Sequence, residues 1–405
     1  MPCRFILGRA GAGKSEHCLH NLAAAIKEQK EALLIVPEQA TFLYESRLAR
    51  GFGLAGFSGL RITSFSRLAH RAEAAFAQDH LPPLSESGKR MALAKILQES
   101  QAALQVFQGG AGRMGFGANL LRLLEEFRAY RIEPDMLSLQ QAPAAWQQKY
   151  GAGNLPAKLA DIALVDRAFR AFCAGSYRTA FDGLDFLARA IYDRGFLNRT
   201  QIYIDGFSGF NPQEEAVLAA LLARAPRVEI ALPLDPAYAQ VPAPQESLFY
   251  PVWYAYCRLL QLAQEVGAET EAPLCLRMGP QNRFAAAPAL AFLERELYPP
   301  TGSRQWQGQP QGLQIAAAQS PSAELEGVAQ EILRLVRQEH LHFRDISVIV
   351  RDAAPYAADL ERIFSEYDIP YFIDIAKPLV YHPLVELVRA VLEVAVGGWH
   401  YPAHS

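Results

Sequence analysis

No apolar run in the 405-residue sequence approaches the ~20 residues needed to span a bilayer, so no membrane partner is expected. No secretory leader is expected either, because Phe5-Ile6-Leu7 gives way at once to Gly8. Cysteine is scarce. Cys3, Cys18, Cys173, Cys257 and Cys275 include no Cys-x-x-Cys pair, which argues against a zinc ribbon or a local redox motif. An odd number of cysteines without an export signal reads as reduced thiols in a cytoplasm. The nine histidines do not gather with cysteines or carboxylates at metal-ligand spacing. His17 and His20 are three apart on a predicted helix, a spacing that is usually incidental. Excess charge of either sign is also absent. A formal net charge of -3 provides no global basic footprint for nucleic acid and leaves room only for a local basic groove. Apolar content is ample, at 51% against 20% charged residues, which is the balance of a globular protein and excludes disorder throughout. The length suits two or three domains.

Local patterns predict an α/β protein. Arg4–Leu7 is a short apolar run that stops at a glycine-rich loop. Ser15 to about Lys27 carries Leu19, Leu22, Ala23 and Ile26 at helical spacing, and Ala32–Val36 is wholly apolar up to Pro37. Strands without polar alternation belong to parallel sheets covered on both faces, so this is an opening βαβ unit. A short strand is expected at Leu60–Thr63, with a helix from Ser66. From about Pro82 to Phe172 the pattern is helical and no strand is expected. Ser85-Glu86 can cap a helix through Gln98 with Met91, Ile96 and Leu97 on its apolar side. Leu120, Leu121, Leu124 and Phe127 mark a second helix, and Leu159–Phe172 a third. Strands resume at Gln201–Ile204 and Val228–Leu232, around a helix from Pro212 to Ala223. A Pro/Gly/Gln-rich stretch over 299–312 reads as a linker. Beyond it, strands at Leu313–Ala317, Ile346–Val350 and Tyr371–Ile373 are expected. With helices at about Ser322–Val336, Leu360–Glu366 and Pro383–Val394, they predict a second α/β unit.

The sharpest signal is Gly8-Arg9-Ala10-Gly11-Ala12-Gly13-Lys14-Ser15. It matches G-x-x-x-x-G-K-[ST] at every fixed position, with a strand before it and a helix after it. The glycines let consecutive backbone N–H groups form a nest for phosphate oxygens. Lys14, expected at the surface of the loop, would reach the β- and γ-phosphates of ATP as a point charge. Ser15 would hold Mg²⁺ through its hydroxyl, and the following helix adds its positive end. The alternative, a plain glycine-rich turn, rarely arrives with three glycines and Lys-Ser together.

Ile202-Tyr203-Ile204-Asp205 has the form of a hydrophobic strand ending in a metal-binding acid, with Asp205 holding Mg²⁺, often through water. An acid at the end of a strand is common, and its weight here comes from the P-loop that demands such a partner. Helicases that hydrolyse ATP place a Glu next, as the base that activates water. This chain has Gly206 there, and the nearest acids are Glu214 and Glu215 after Pro212. Unless one of them folds back, the site binds ATP without a general base. The long separation between Lys14 and Asp205 suits a sheet interrupted by a helical subdomain better than a bare P-loop kinase.

Softer candidates follow. Pro37-Glu38-Gln39-Ala40-Thr41, after the second strand, would lie beside a nucleotide or DNA face, or is a helix-starting turn. Thr63, Ser64, Phe65 and Arg67 combine hydroxyls, an aromatic and a cation suited to a single-stranded backbone and a stacked base. The same run also reads as a capped helix with Phe65 and Leu68 in the core. Arg122, Arg128 and Arg131 alternate with Glu125 and Glu126 as on a solvated face, and Asp182 and Asp185 resemble helix-start residues. No Ser/His/Asp or Cys/His arrangement is present.

Taken in order, the runs FILGRAGAGKS, LLIVPEQATFLYE, ITSFSRLAHR and IYIDGFSGFNPQE resemble the AddB family, the B subunit of the bacterial AddAB ATP-dependent helicase/deoxyribonuclease. The run ISVIVRDAAPYAADLERIFSEYDIPYFID, followed by HPLVELVRAVLEV, is similar to the second helicase-like domain of superfamily 1 helicases of the UvrD type. The resemblance extends from about residue 4 to residue 394. It implies a RecA-like P-loop domain 1A over 1–80 and 176–298, an all-helical insertion 1B over 81–175, and the incomplete start of a 2A domain over 313–405. It also implies a subunit that processes double-strand breaks for homologous recombination, acting on single-stranded DNA and duplex ends. An AddA-type helicase-nuclease subunit would be its heterodimeric partner, and its own motor would be degenerate. In the family this subunit helps to recognise the Chi sequence, and a C-terminal nuclease domain with an iron–sulfur cluster follows. The nuclease carboxylates, the cluster cysteines and the Arg that completes the ATP site from the second domain lie in parts this sequence does not contain. The chain therefore reads as a fragment without nuclease activity, and none of its five cysteines is assignable to the cluster. Two other readings stand beside this one. A metabolic P-loop kinase or NTPase is opposed by the Lys14–Asp205 separation and the second α/β unit. A non-catalytic module that keeps a nucleotide fold for stability is favoured by Gly206 over an autonomous motor, and Gly206 is compatible with the helicase-like subunit within a complex.

Overall fold

The apolar runs of the first part of the chain pair side by side into one parallel sheet. The computed structural model describes all residues except 1, 53–60, 78–80, 83, 110–114, 137–146, 148–152, 178–179, 278–282, 298–303, 374–378, 380–381 and 399–405. Its strands are β1 (Pro2–Leu7), β2 (Ala32–Ile35), β3 (Ile62–Thr63), β4 (Gln201–Ile204), β5 (Val228–Leu232), β6 (Glu269–Thr270) and β7 (Leu274–Cys275). They run in the order β3-β2-β4-β5-β1-β6, with β7 also on β1, and every pairing is parallel. Leu60, expected to open β3, lies outside the described residues, as do positions 299–303 of the expected linker.

Alternation along the strands sorts the helices onto two faces. Phe5, Leu7, Leu33, Ile35, Ile202 and Ile204 point to one face, where α3 (Phe65–Phe76), α7 (Ala180–Arg194), α8 (Pro212–Arg224) and α9 (Tyr250–Glu265) cover them. Ile6, Leu34, Tyr203 and Ala231 point to the other, under α1 (Lys14–Lys27) and α2 (Thr41–Gly51). Both faces are covered, as the unbroken apolar runs require.

Between β3 and β4 lie α4 (Glu86–Glu99), α5 (Phe116–Ala129) and α6 (Leu155–Cys173), which share a core of their own built on Leu93, Leu97, Leu121, Leu124, Val165 and Phe169. No strand occurs among the described residues of this stretch. Ser85 caps α4, its Oγ accepting from the Gly88 N–H at 3.1 Å. Met91 departs from expectation and is 73% exposed. It sits two residues before Leu93, about 200° around the helix from the buried face. A short α10 (Pro288–Glu296) follows β7.

The chain divides into two units, Met1–Gly312 and Leu313–Ser405. In the second unit, α11 (Pro321–Gln338) packs on α12 (Ala357–Glu366) through Leu325, Ala329, Ile332, Ile363 and Phe364, and α13 (Pro383–Gly397) follows. The three strands expected here do not form: 313–317, 346–350 and 371–373 carry no ladder. A strand needs a neighbour for its N–H and C=O groups. Among the described residues these runs hydrogen-bond to no neighbouring strand, and Ile315, Ile349 and Phe372 are 96%, 91% and 90% exposed.

Candidate nucleotide site

Leu7, the last residue of β1, leads into the glycine-rich loop at the carboxyl end of the sheet. Gly13, at φ 93°, turns the chain into α1 through a left-handed conformation that a side chain would oppose. Lys14 is the first residue of α1. Its Nζ donates to the carbonyls of Gly8 at 2.7 Å and Arg9 at 3.0 Å, so the ammonium is wrapped by its own loop. This corrects the expected surface position, since Lys14 is only 9% exposed. Burial pulls the ammonium below its ordinary pKa, against the negative charge of Asp205. The Ala12 N–H donates to the Arg9 carbonyl at 3.2 Å, which tightens the turn.

The Arg9 side chain is directed elsewhere. Its guanidinium pairs with Glu294 on α10 at 2.8 Å and with Asp235 at 3.3 Å, and it lies 5.2 Å from the ring centre of Phe249. A cavity of about 520 Å³ opens beside the loop, lined by Arg9, Ala12, Asp235, Leu276, Arg277 and Glu294. Arg283 and Phe284 close against Gly11, where an added Cβ would meet Arg283 Cγ at 3.0 Å.

Asp205 follows β4, and β5 separates β4 from β1. The carboxylate is buried and its oxygens are both engaged: Oδ2 accepts from the Tyr44 hydroxyl at 2.8 Å and Oδ1 from the Gly206 N–H at 2.8 Å. With its hydrogen directed at Asp205, the Tyr44 hydroxyl oxygen is left to accept from Ser15 Oγ at 3.2 Å. Ser15, at the start of α1, and Asp205, after β4, are thus brought together through one phenol on α2. Burial, reinforced by the charge of Asp205, pushes the Tyr44 phenol well above its ordinary pKa. Sequence reasoning missed Tyr44. It stands inside LLIVPEQATFLYE, but nothing in that run marks its hydroxyl.

The position after Asp205 is closed to a base. Gly206 has φ +88°, and an added Cβ would lie 2.9 Å from Pro37 Cδ. The two nearby acids are committed as well. Glu214 completes the cap of α8, its Oε2 accepting from the Asn211 N–H at 2.9 Å while Asn211 Oδ1 accepts from the Glu214 N–H, and burial raises its pKa. Glu215 pairs with Arg258 at 3.1 Å. Both carboxylates are thus held by other partners.

The four residues considered for DNA contact separate. Thr63, Ser64 and Phe65 are buried. Ser64 caps α3 by accepting from the Arg67 N–H, and Phe65 packs against Phe207 and Phe210 with ring centres at 5.5 and 6.4 Å. Phe65 therefore offers no face to a base, and the capped-helix reading describes it. Arg67 and Ser66 remain exposed, with the Ser66 hydroxyl donating to Glu38 at 3.0 Å. Glu38–Ala40 is a single turn that starts α2. Arg128 is not on a solvated face. It is largely buried, 3.6 Å from Asp166 and over the ring of Phe169. Asp185 lies within α7 and pairs with Arg131 rather than starting the helix, while the side chain of Asp182 is outside the described residues.

A buried acid on β5 also escaped the sequence reading. Glu229 faces α1, where Asn21 donates to it at 3.1 Å, His17 lies at 3.3 Å, and Arg227 pairs with it at 2.8 Å. Burial alone would raise its carboxyl. The bonds with His17 and Arg227, and the Arg227 charge, outweigh burial and hold the pKa near 2. Among the described residues, no three His, Cys, Asp or Glu side chains form a metal cluster, and no helix is long and apolar enough to cross a membrane.

Fold and site together define a class: an α/β protein whose parallel sheet carries a strand, a glycine-rich loop and a helix in succession, with a buried acid after a strand two places away. Residues 5–294 match the family model described as ADDB, N-terminal, and the chain belongs to that family, AddB. It is 40% identical to the B subunit of the ATP-dependent helicase/deoxyribonuclease of Desulforudis audaxviator over 405 residues, 99% of this chain and 34% of that protein. The corresponding protein of Pelotomaculum thermopropionicum is 39% identical over 408 residues, with the same two coverages. That of Bacillus mycoides is 34% identical over 411 residues, 100% of this chain and 34% of the relative. The chain spans about a third of the length of the curated relatives it matches.

Proposed function

We propose that this chain is the ATP-binding, helicase-like part of an AddB protein, working with an AddA-type partner in a complex that resects DNA double-strand breaks for recombination. The sheet and its helical segment are then a RecA-like domain 1A with insertion 1B, and the second unit is the start of 2A. One observation carries the nucleotide reading: Ser15 and Asp205, far apart in sequence, meet at a single hydroxyl beside the glycine-rich loop. Both are hard oxygen donors of the kind Mg²⁺ selects, so the residues fit the ion. When bound it would offset phosphate charge. Lys14 would leave its loop carbonyls to meet the phosphates, and the backbone N–H groups of the loop would cradle them.

Turnover is expected to be slow. Gly206 offers no base, and Glu214 and Glu215 are engaged in a cap and an ion pair. Loss of a general base lowers a rate by ~10²–10⁴. Of the residues considered for single-stranded DNA, Arg67 is the exposed one, at the same end of the sheet as the nucleotide loop. The test is ATP–Mg²⁺ binding and hydrolysis with and without single-stranded DNA, for the wild type and Lys14→Ala. Binding that needs Lys14, with little turnover, is expected. Equal affinity in both proteins would sink the reading, and Lys14-dependent turnover at ~1–100 s⁻¹ would sink its degenerate motor.

A further inference from the structure

We propose that the Tyr44 hydroxyl competes with the divalent cation for Ser15 and Asp205, so that metal-loaded nucleotide binds only after Tyr44 has released both. This competition presupposes the nucleotide-site reading above and adds a residue to it. The phenol donates to Asp205 Oδ2 at 2.8 Å and meets Ser15 Oγ at 3.2 Å. The other carboxylate oxygen is taken by the Gly206 N–H. Oδ2 is therefore the atom through which Asp205 would hold an ion or its water, and the phenol stands on it.

Tyr44 is not a surface group that happens to swing inward. It is buried on α2 in the same apolar cluster as Leu48, Leu19 and Ile6. The closed arrangement extends to Lys14, whose ammonium is held by Gly8 and Arg9 carbonyls. The cation is thus satisfied by its own loop, and the hydroxyl donor and the acid satisfy each other, all within the protein. Phosphate alone needs only Lys14 and the loop to rearrange. Phosphate with a cation needs Tyr44 to move as well. Of the residues just before Tyr44, Phe42 and Leu43 are exposed, so a shift of the first turn of α2 unpacks neither of them and strains only the buried Thr41 and its bond to the Glu38 carbonyl.

The experiment measures ATP affinity of the 405-residue chain by calorimetry, once with Mg²⁺ and once with EDTA, and takes the ratio of the two. Giving up a hydrogen bond to a buried carboxylate shifts an equilibrium by about tenfold or more. Tyr44→Phe is expected to raise the Mg²⁺/EDTA affinity ratio by about that factor and to leave metal-free affinity unchanged. An unchanged or smaller ratio overturns the proposal. Should Tyr44→Phe fail to fold, hydrogen exchange on the wild type decides: amide protection over Thr41–Gly51 should fall with Mg²⁺–ATP but not with ATP and EDTA, and equal protection in both overturns the proposal. Lys14→Ala separates the two readings. ATP binding indifferent to Lys14 removes the nucleotide site and this competition with it. Lys14-dependent binding with an unaltered ratio removes the competition alone.

Discussion

Restoring the acid that helicase motors carry after their metal-binding Asp should fail in this fold. Gly206→Glu places a side chain on a backbone at φ +88°, where an L-residue is disfavoured by ~1–2 kcal/mol. Its Cβ would also lie 2.9 Å from Pro37 Cδ, and such overpacking costs ~1–3 kcal/mol. Together the two effects amount to about 2–5 kcal/mol of lost stability. Both arise at Cβ, so Gly206→Ala should lose nearly as much as Gly206→Glu. That equality separates backbone strain from any effect of the new charge. Denaturant unfolding of wild type, Gly206→Ala and Gly206→Glu gives the stabilities, and a phosphate-release assay on the folded fraction gives the rate. The expected result is two similarly weakened proteins, neither hydrolysing ATP faster than wild type. A Gly206→Glu protein as stable as wild type would refute the strain reasoning. One that turns over ATP at ~1 s⁻¹ or more would show that the loop readily accepts a base.

Three further outcomes follow from the same contacts. Asp161 accepts from three backbone N–H groups, those of Gln105, Val106 and Phe107, at 2.8, 2.8 and 2.9 Å, so Asp161→Ala should cost about 2–4 kcal/mol and expose those amides to hydrogen exchange; unchanged protection at 105–107 would count against it. Glu229→Gln should cost about 2–3 kcal/mol at neutral pH by denaturant unfolding, less than the ~3–5 of a fully broken buried pair because the amide oxygen still accepts from Arg227. Since the folded pKa of Glu229 is depressed to about 2, its contribution is full above its ordinary 4.5 and is lost as pH falls through 2, so the gap between wild type and Glu229→Gln should close over that window; a gap constant from pH 7 to pH 2 would contradict the assignment. Lys14→Ala should lower stability by about 1 kcal/mol, because the Gly8 and Arg9 carbonyls lose their donor, and a melting curve identical to wild type would place the ammonium in solvent.

What the sequence revealed follows the range of the interactions. The glycine-rich loop between β1 and α1, the strand before Asp205 and the caps at Ser64 and Ser85 are local arrangements of neighbouring residues, and each lies where its pattern indicated. The parallel sheet was legible because strands covered on both faces lose their polar alternation. Glu229 was invisible for the same reason: inside VEIAL it reads as a flaw in an apolar run, and only α1 shows that His17 and Asn21 receive it. Tyr44 depends on two partners distant in the chain, which no spacing rule links. Lys14 was misplaced because its motif describes a lysine reaching a ligand, whereas the loop supplies carbonyls of its own. In the second unit the apolar runs satisfy the strand pattern, but a pattern records propensity, and a ladder needs a second strand.

The ends of the sheet bear on how a protein like this can meet another chain. One edge is β3, two residues long, and the other is split into β6 and β7, two residues each, with Pro273 between them and no N–H there to offer. Among the described residues, neither edge presents a run of free backbone groups long enough to template a foreign strand. Growth of the sheet across a boundary between chains is thereby discouraged. At this sheet, association is left to side chains on the flanking helices and loops, which set a specific partner and register where backbone pairing would accept almost any extended peptide.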